Sequence, residues 1–452
     1  MAGGKKYQID MTSGPLFGKI VKFSLPLMAA NVMQLLFHAV GLIVLGRFAD
    51  GKSIAAVGST SGLTVLILNI FLGLATGVNV LVARYVGAKD RKKASLTVHT
   101  AMATALYGGA GMALVSLLIA RPMLVLMATP ENILYQASLY MWLYSLGVPA
   151  VIIYNFGSAI LRALGDTRRP LIFMVIAGVV NILLNLFFVV ICKMNVAGVA
   201  LAAMLGSCVS AGLVLRAMLQ ARDSSHLVWK RIKIHWGMLK EMLKIGLPAG
   251  MQGAMFSISN ITIQSAVNSF GWQAIAGNTA ALSLESIVYV ACSSYYYTSI
   301  SFVGQNHGAG KFDRIKKSVL YSALCTFIAG VILGWGCFLL GDKLLGFYNP
   351  DPEVIKWGMI RLRIMFTVYF LCGWMDVVSG SLRGLGHSVK PMLVIMLGVC
   401  GLRVAWVFWV LPLSRSMETL FISYPVSWML VIVINGAMLC WVYRKMLKEQ
   451  RY

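Results

Sequence analysis

ILRALGDTRRP, residues Ile160–Pro170, returns in the second half of the chain as SLRGLGHSVKP, residues Ser381–Pro391. Leu161, Arg162, Leu164, Gly165 and Pro170 fall in register with Leu382, Arg383, Leu385, Gly386 and Pro391, an offset of 221 positions (383 − 162 = 221). Working outward, KFSLP (Lys22–Pro26) recurs as KIGLP (Lys244–Pro248), and GAKDRKK from Gly87 is echoed by GAGKFDRIKK from Gly308. Solenoid units repeat every 20–50 residues or so, and a period this long marks a duplicated half-molecule instead.

Composition sets the solvent for those halves. The chain has 452 residues, 59% hydrophobic and 12% charged, with a mean hydropathy of +0.79. Soluble domains carry about 25% charged residues. Apolar runs long enough to cross about 30 Å of hydrocarbon recur throughout. We read about twelve spans, at 16–46, 54–84, 94–120, 133–156, 170–192, 196–220, 239–269, 275–305, 315–340, 362–381, 391–412 and 419–443. The expected fold is an all-α integral membrane protein of about twelve transmembrane helices in two pseudo-symmetric six-helix bundles. Residues 1–220 form the first lobe, 221–238 (ARDSSHLVWKRIKIHWGM) a cytoplasmic linker, and 239–452 the second lobe. An even number of spans per half makes the repeat parallel, with the substrate site expected between the halves. Pro26 and Pro248 occupy equivalent places and read either as kinks or as helix starts.

A net charge of +24 invites a nucleic-acid reading, but its distribution argues for a membrane. With the N-terminus in the cytoplasm, most of the 39 Lys and Arg fall on the cytoplasmic side. That follows the positive-inside rule and predicts both termini in the cytoplasm. Arg84–Lys93 and Arg216–Lys244 are the richest stretches and are expected to lie against anionic headgroups. No base-reading motif accompanies them, so nucleic acid is not an expected partner. The loop between the ninth and tenth spans departs from the rule by placing Lys343, Lys356, Arg361 and Arg363 outside.

Several segments resemble the multidrug and toxic compound extrusion family, on its bacterial NorM/DinF side. They are LPLMAANVMQLLF in the first span, FVGQNHGAGKFDRIKK after the eighth, and the paired LRALGDTRRP and SLRGLGHSVKP loops. The resemblance covers essentially the whole chain, including the six-plus-six arrangement. It implies a multi-pass protein of the bacterial inner (plasma) membrane that exports cationic or amphipathic drug-like compounds. Export would exchange them for inward-moving Na⁺ or H⁺ by alternating access, with no other cofactor. Drug-like cations and membrane lipids are the expected partners, and a monomer the expected assembly. A flippase for lipids or lipid-linked saccharides on a related twin-bundle fold is the alternative. No HExxH, paired His, Ser/Lys or P-loop constellation supports an enzyme.

Coupling chemistry is expected where charge is expensive. Only Glu285 and Asp376 among the 15 acids fall well inside predicted spans, joined there by Arg403. Each acid reads as a cation ligand, with Na⁺ held at Asp376 or Glu285, as a proton carrier, or as half of a structural pair with Arg403. Tyr289 and Tyr296 share a helical face with Glu285, on which an organic cation could sit. The first lobe has no embedded acid. Where the resemblance leads one to expect the pattern DxxxxGRF, this chain has Gly41 in GLIVLGRF, and in the fifth span NILLNLFF has Asn185. His38, Asn155 and Asn185 are its candidate polar site residues, His38 because imidazole titrates near neutral pH.

Overall fold

A computed structural model describes residues 7–48, 51–127 and 129–450. Among them the secondary structure is helical, with no strand. The helices are α1 (Leu16–Phe48), α2 (Gly51–Gly87), α3 (Arg91–Leu126), α4 (Glu131–Ala163), α5 (Arg168–Asn185) and α6 (Asn195–Leu219), then α7 (Trp236–Asn268), α8 (Trp272–Gly308) and α9 (Phe312–Leu339). Two shorter helices follow, α10 (Gly341–Tyr348) and α11 (Pro352–Met365), and then α12 (Phe370–Gly384). The next span is assembled from α13 (Val389–Ile395) and α14 (Leu402–Ala405), interrupted by π-turns, and α15 (Met417–Gln450) closes the chain. Ten segments are long and apolar enough to cross a membrane, and an eleventh runs through α11 and α12, bent by 48° at the break between them. The molecule is a multi-pass membrane protein.

Two compact units are present among the described residues. One comprises residues 7–10 and Ala29–Gly250, the other Met11–Met28 and 251–450. Their boundaries fall inside helices, not in the linker. In α1 the change comes two residues after Pro26, and in α7 two residues after Pro248. Both prolines lie inside their helices and do not start them. Proline removes a backbone donor and crowds the preceding turn, so both helices are weakened at the point where they change partners.

The repeated loop has a shared structural job. Gly165 and Gly386 have φ of +90° and +89°, a region that favours glycine. Each closes its helix identically. Gly165 N donates to Arg162 O at 2.9 Å and Asp166 N to Leu161 O at 2.9 Å. Gly386 N donates to Arg383 O at 2.8 Å and His387 N to Leu382 O at 2.9 Å. This paired closure satisfies carbonyls that the helix end would otherwise orphan.

In the first unit, α7 packs on α2 through two facing GxxxG pairs, Gly73/Gly77 and Gly246/Gly250. A Cβ on Gly73 would lie 2.2 Å from Gly250 N, and one on Gly77 would lie 2.5 Å from Met242 O. Small residues at this spacing let membrane helices touch backbone to backbone. The second unit holds its own borrowed segment by a different device. Arg314, at the start of α9, donates to the carbonyls of Met11, Ser13 and Gly14 at 3.2, 2.9 and 3.0 Å. Phe23 adds an edge-to-face contact with Phe302 at 5.5 Å between ring centres.

Candidate functional site

The second unit buries a network of charge and aromatic rings. Glu285 on α8 receives Arg361 Nε at 3.0 Å and Arg361 Nη2 at 2.5 Å, both on Oε2. Its other oxygen accepts from the Tyr369 hydroxyl at 3.3 Å. Tyr369 stands at the break between α11 and α12, so the bend aims the phenol at the carboxylate. Arg361 Nη1 donates to Asn278 Oδ1 at 2.7 Å, and Asn278 Nδ2 passes the chain to Gln264 Oε1 at 3.1 Å. The Arg361 guanidinium also lies 5.0 and 5.4 Å from the ring centres of Phe421 and Tyr424 on α15.

Arg361 is therefore not the outward loop residue the sequence suggested; its side chain is only 2% exposed. The buried face of α11 runs Val354, Gly358, Arg361, Leu362, Met365, a helical stripe on which Arg361 is a member. That periodicity was the available signal, and a span begun at 362 cut it off by one residue.

Arg403 likewise does not pair with Asp376. It stacks 3.8 Å from the ring centre of Tyr424 and donates through Nε to Ser427 Oγ at 3.1 Å. A guanidinium spread over an aromatic face keeps part of its charge compensated without an acid. The network thus gathers Glu285, Arg361 and Arg403 around Tyr424.

Asp376 stands apart on α12. No hydrogen bond or ion pair to it is found among the described residues. Its electrostatic neighbours are Tyr289, Cys292, Cys372 and Arg383. Arg383 is itself engaged by the Tyr296 hydroxyl and, at 2.5 Å, by Gln252 Oε1. Tyr296 is thus drawn to Arg383 and does not share Glu285's partners, while Tyr289 is exposed on α8 beside Asp376. The two embedded acids of this unit differ in their surroundings: Glu285 is paired with a buried guanidinium, and Asp376 has no hydrogen bond or ion pair among the described residues.

In the first unit, Gly41, Asn155 and Asn185 line one cavity of about 230 Å³ with Gln34, Tyr154 and Asn181. No carboxylate is among its lining residues. Asn185 Nδ2 donates to Asn181 O and Oδ1, each at 3.0 Å, while Asn185 Oδ1 is buried with no hydrogen-bond partner. Asn155 Nδ2 donates to Val151 O at 2.8 Å. A Cβ on Gly41 would sit 3.9 Å from Asn185 Nδ2, so the missing acid would have faced that amide. The side chain of His38 lies outside the described residues.

Comparison with known proteins places these features in a group. The MatE family model matches residues 26–187 and again 248–409, each copy beginning at the repeated proline. The chain is 25% identical over 433 residues to the probable multidrug resistance protein YoeA of Bacillus subtilis (strain 168), covering 94% of this chain and 93% of that one. It is 23% identical to the probable multidrug resistance protein NorM of Thermotoga maritima, over 86% of this chain and 84% of its relative. A crystal structure of MATE in a bent conformation superposes with a TM-score of 0.91 at 19% identity, covering 100% of both chains. A duplicated half, matched twice by one model and built on the same helical fold, makes this chain a member of the MatE family, the multidrug and toxic compound extrusion transporters.

Proposed function

We propose that this chain is a cation-coupled multidrug efflux antiporter of the bacterial inner membrane, with both termini in the cytoplasm, and that Asp376 carries the coupling ion. The free carboxylate of Asp376, set against the paired carboxylate of Glu285, is the observation that carries the reading. An embedded acid with no ion-pair partner is costly, and a site filled in turn by an ion and a cationic drug offsets that cost. H⁺ would neutralise Asp376, whereas Na⁺ would need further oxygens beside it. Competition of ion and drug for one charge couples them, and each then weakens the other's binding by the same factor. Tyr289, exposed beside Asp376, offers an aromatic face for an organic cation. The amide-lined cavity of the first unit has no carboxylate to titrate, which favours coupling through the second unit.

The test is efflux of a fluorescent organic cation from proteoliposomes, driven by an imposed Na⁺ gradient or an imposed H⁺ gradient in separate experiments. One gradient should drive efflux by the native chain, and Asp376→Asn should abolish that drive while leaving the purified protein monodisperse. Equal gradient-driven efflux by Asp376→Asn would refute the assignment. If neither gradient drives the native chain, lipid or lipid-linked saccharide flipping becomes the stronger reading.

A further inference from the structure

The linker folds back onto the start of α3 and borders a pocket of about 330 Å³, separate from the residues discussed above. Arg91, Ser95 and His99, at i, i+4 and i+8 along one face of α3, form one wall. Arg222, Asp223, Ser224, His226, Val228 and Arg231 of the linker form the other. The wall is fixed from within. Val228 N donates to His99 Nε2 at 3.1 Å, and His99 Nδ1 lies 2.7 Å from Ser95 O, so the neutral imidazole bridges linker and helix. Asp223 is tied to Gln8 Nε2 and accepts from Ser225 N and Oγ at 2.8 and 2.5 Å.

The three guanidiniums have no such partners. Arg91, Arg222 and Arg231 are exposed, and among the described residues none has an ion pair or a side-chain hydrogen bond. They outnumber the one carboxylate in the lining, and that carboxylate already accepts from Gln8 and Ser225. Arg91 also opens α3 beside Lys92 and Lys93, and the capping carboxylate of Asp90 is engaged by Lys93, accepting from its N at 2.9 Å and lying 4.0 Å from its Nζ. Three guanidiniums in one lining, against a single carboxylate already bonded, make the pocket net positive.

We propose that this pocket binds a phosphate-bearing anion, with Arg91, Arg222 and Arg231 as its ligands and His226 and the hydroxyls of Ser95 and Ser224 as further donors. Guanidinium forks match phosphate oxygens two at a time, and three forks suit a multiply charged phosphate better than a carboxylate. Two sources share that chemistry. α3 has 36 residues, and at about 1.5 Å per residue it outruns the roughly 30 Å hydrocarbon layer. Its first turns can therefore meet either a phospholipid headgroup or a soluble phosphate.

The experiment uses the full chain in detergent, in phosphate-free buffer, and is independent of transport. One arm follows phosphatidylglycerol against phosphatidylcholine by native mass spectrometry; the other titrates inorganic phosphate by calorimetry. Arg222→Gln/Arg231→Gln is compared with Lys316→Gln/Lys317→Gln, which removes the same charge from an exposed part of α9. The pocket variant should lose at least tenfold in affinity, and the α9 variant less than twofold. Arg222→Lys/Arg231→Lys keeps the charge and removes the forks, so it should fall between native and the glutamine variant. Preference for phosphatidylglycerol without phosphate binding assigns the site to a headgroup, and saturable phosphate binding assigns it to a soluble ligand. Equal binding by the pocket and α9 variants in both arms would overturn the site.

Discussion

Arg361 gives both Nε and Nη2 to a single oxygen of Glu285, at 3.0 and 2.5 Å, and leaves the other oxygen to Tyr369. Both oxygens of the carboxylate are thereby engaged, whereas Asp376 has no such partner among the described residues.

Removing half of this pair should hurt more than removing both. Arg361→Met leaves an uncompensated buried carboxylate and should cost about 3–5 kcal/mol. Glu285→Gln/Arg361→Met should recover most of that loss, because it leaves no stranded charge. Thermal unfolding of the three proteins in one detergent reads this directly; a double variant no better than the single one would show that the pair is not the source.

The two repeated glycines should respond unequally to alanine. Both substitutions place a Cβ at φ near +90°, which costs about 1–2 kcal/mol. At Gly386 nothing lies within 4 Å of the new atom, whereas at Gly165 it would lie 2.2 Å from Ile9 O. Gly165→Ala should therefore lower the melting temperature clearly more than Gly386→Ala. Equal shifts would mean that the contact with Ile9 yields without cost.

Gly73→Ala should loosen the first unit. Its Cβ would meet backbone atoms of Gly250 at 2.2 and 2.4 Å, which no rotamer change can relieve. A loss of about 1–3 kcal/mol is expected from overpacking. Gly111→Ala, with open space around its Cβ, is the matched control. Measured melting temperatures should separate the two.

Arg314→Ala should loosen Met11–Gly14, three of whose carbonyls it holds, without disturbing Glu285 or Asp376. Faster amide exchange in those residues, with unchanged exchange in α12, is the expected result. Unchanged protection there would show that Asn306, donating to Met11 O at 3.1 Å, and Lys311, donating to Thr12 O at 2.7 Å, hold the segment without Arg314.

Gly41→Asp tests whether the first unit can gain a titrating group. The new carboxyl would face Asn185 Nδ2, and efflux should acquire a pH dependence the native chain lacks there. A flat difference between variant and native profiles would place coupling wholly outside this cavity.

Helix number and the duplication were legible because apolar length and a long repeat are carried by many residues at once. α7 was expected as a span and is helical from Trp236 to Asn268, although it is not among the segments apolar enough to pass on hydropathy alone. Gly41 and Asn185 were marked from sequence and do share a cavity. Partnership was less legible. Arg361 looked like a loop cation because it falls one residue outside the predicted span, and Arg403 looked like the counter-ion because it was the one Arg deep inside a predicted span. Which acid meets which guanidinium depends on a 48° bend at Tyr369 and on α15 supplying Tyr424, neither of which has a local sequence signature.

The helix α1 belongs to two units, and that has a cost in time. Met11–Met28 leaves the ribosome long before the rest of its unit, which begins only at residue 251. At about 5–20 residues per second, the segment waits on the order of tens of seconds for α8 and α9 to exist. The first unit, by contrast, needs only α7 to be finished. Synthesis therefore delivers one closed half while the other still has its opening segment unpaired, and the last unit to assemble is the one that holds both embedded acids.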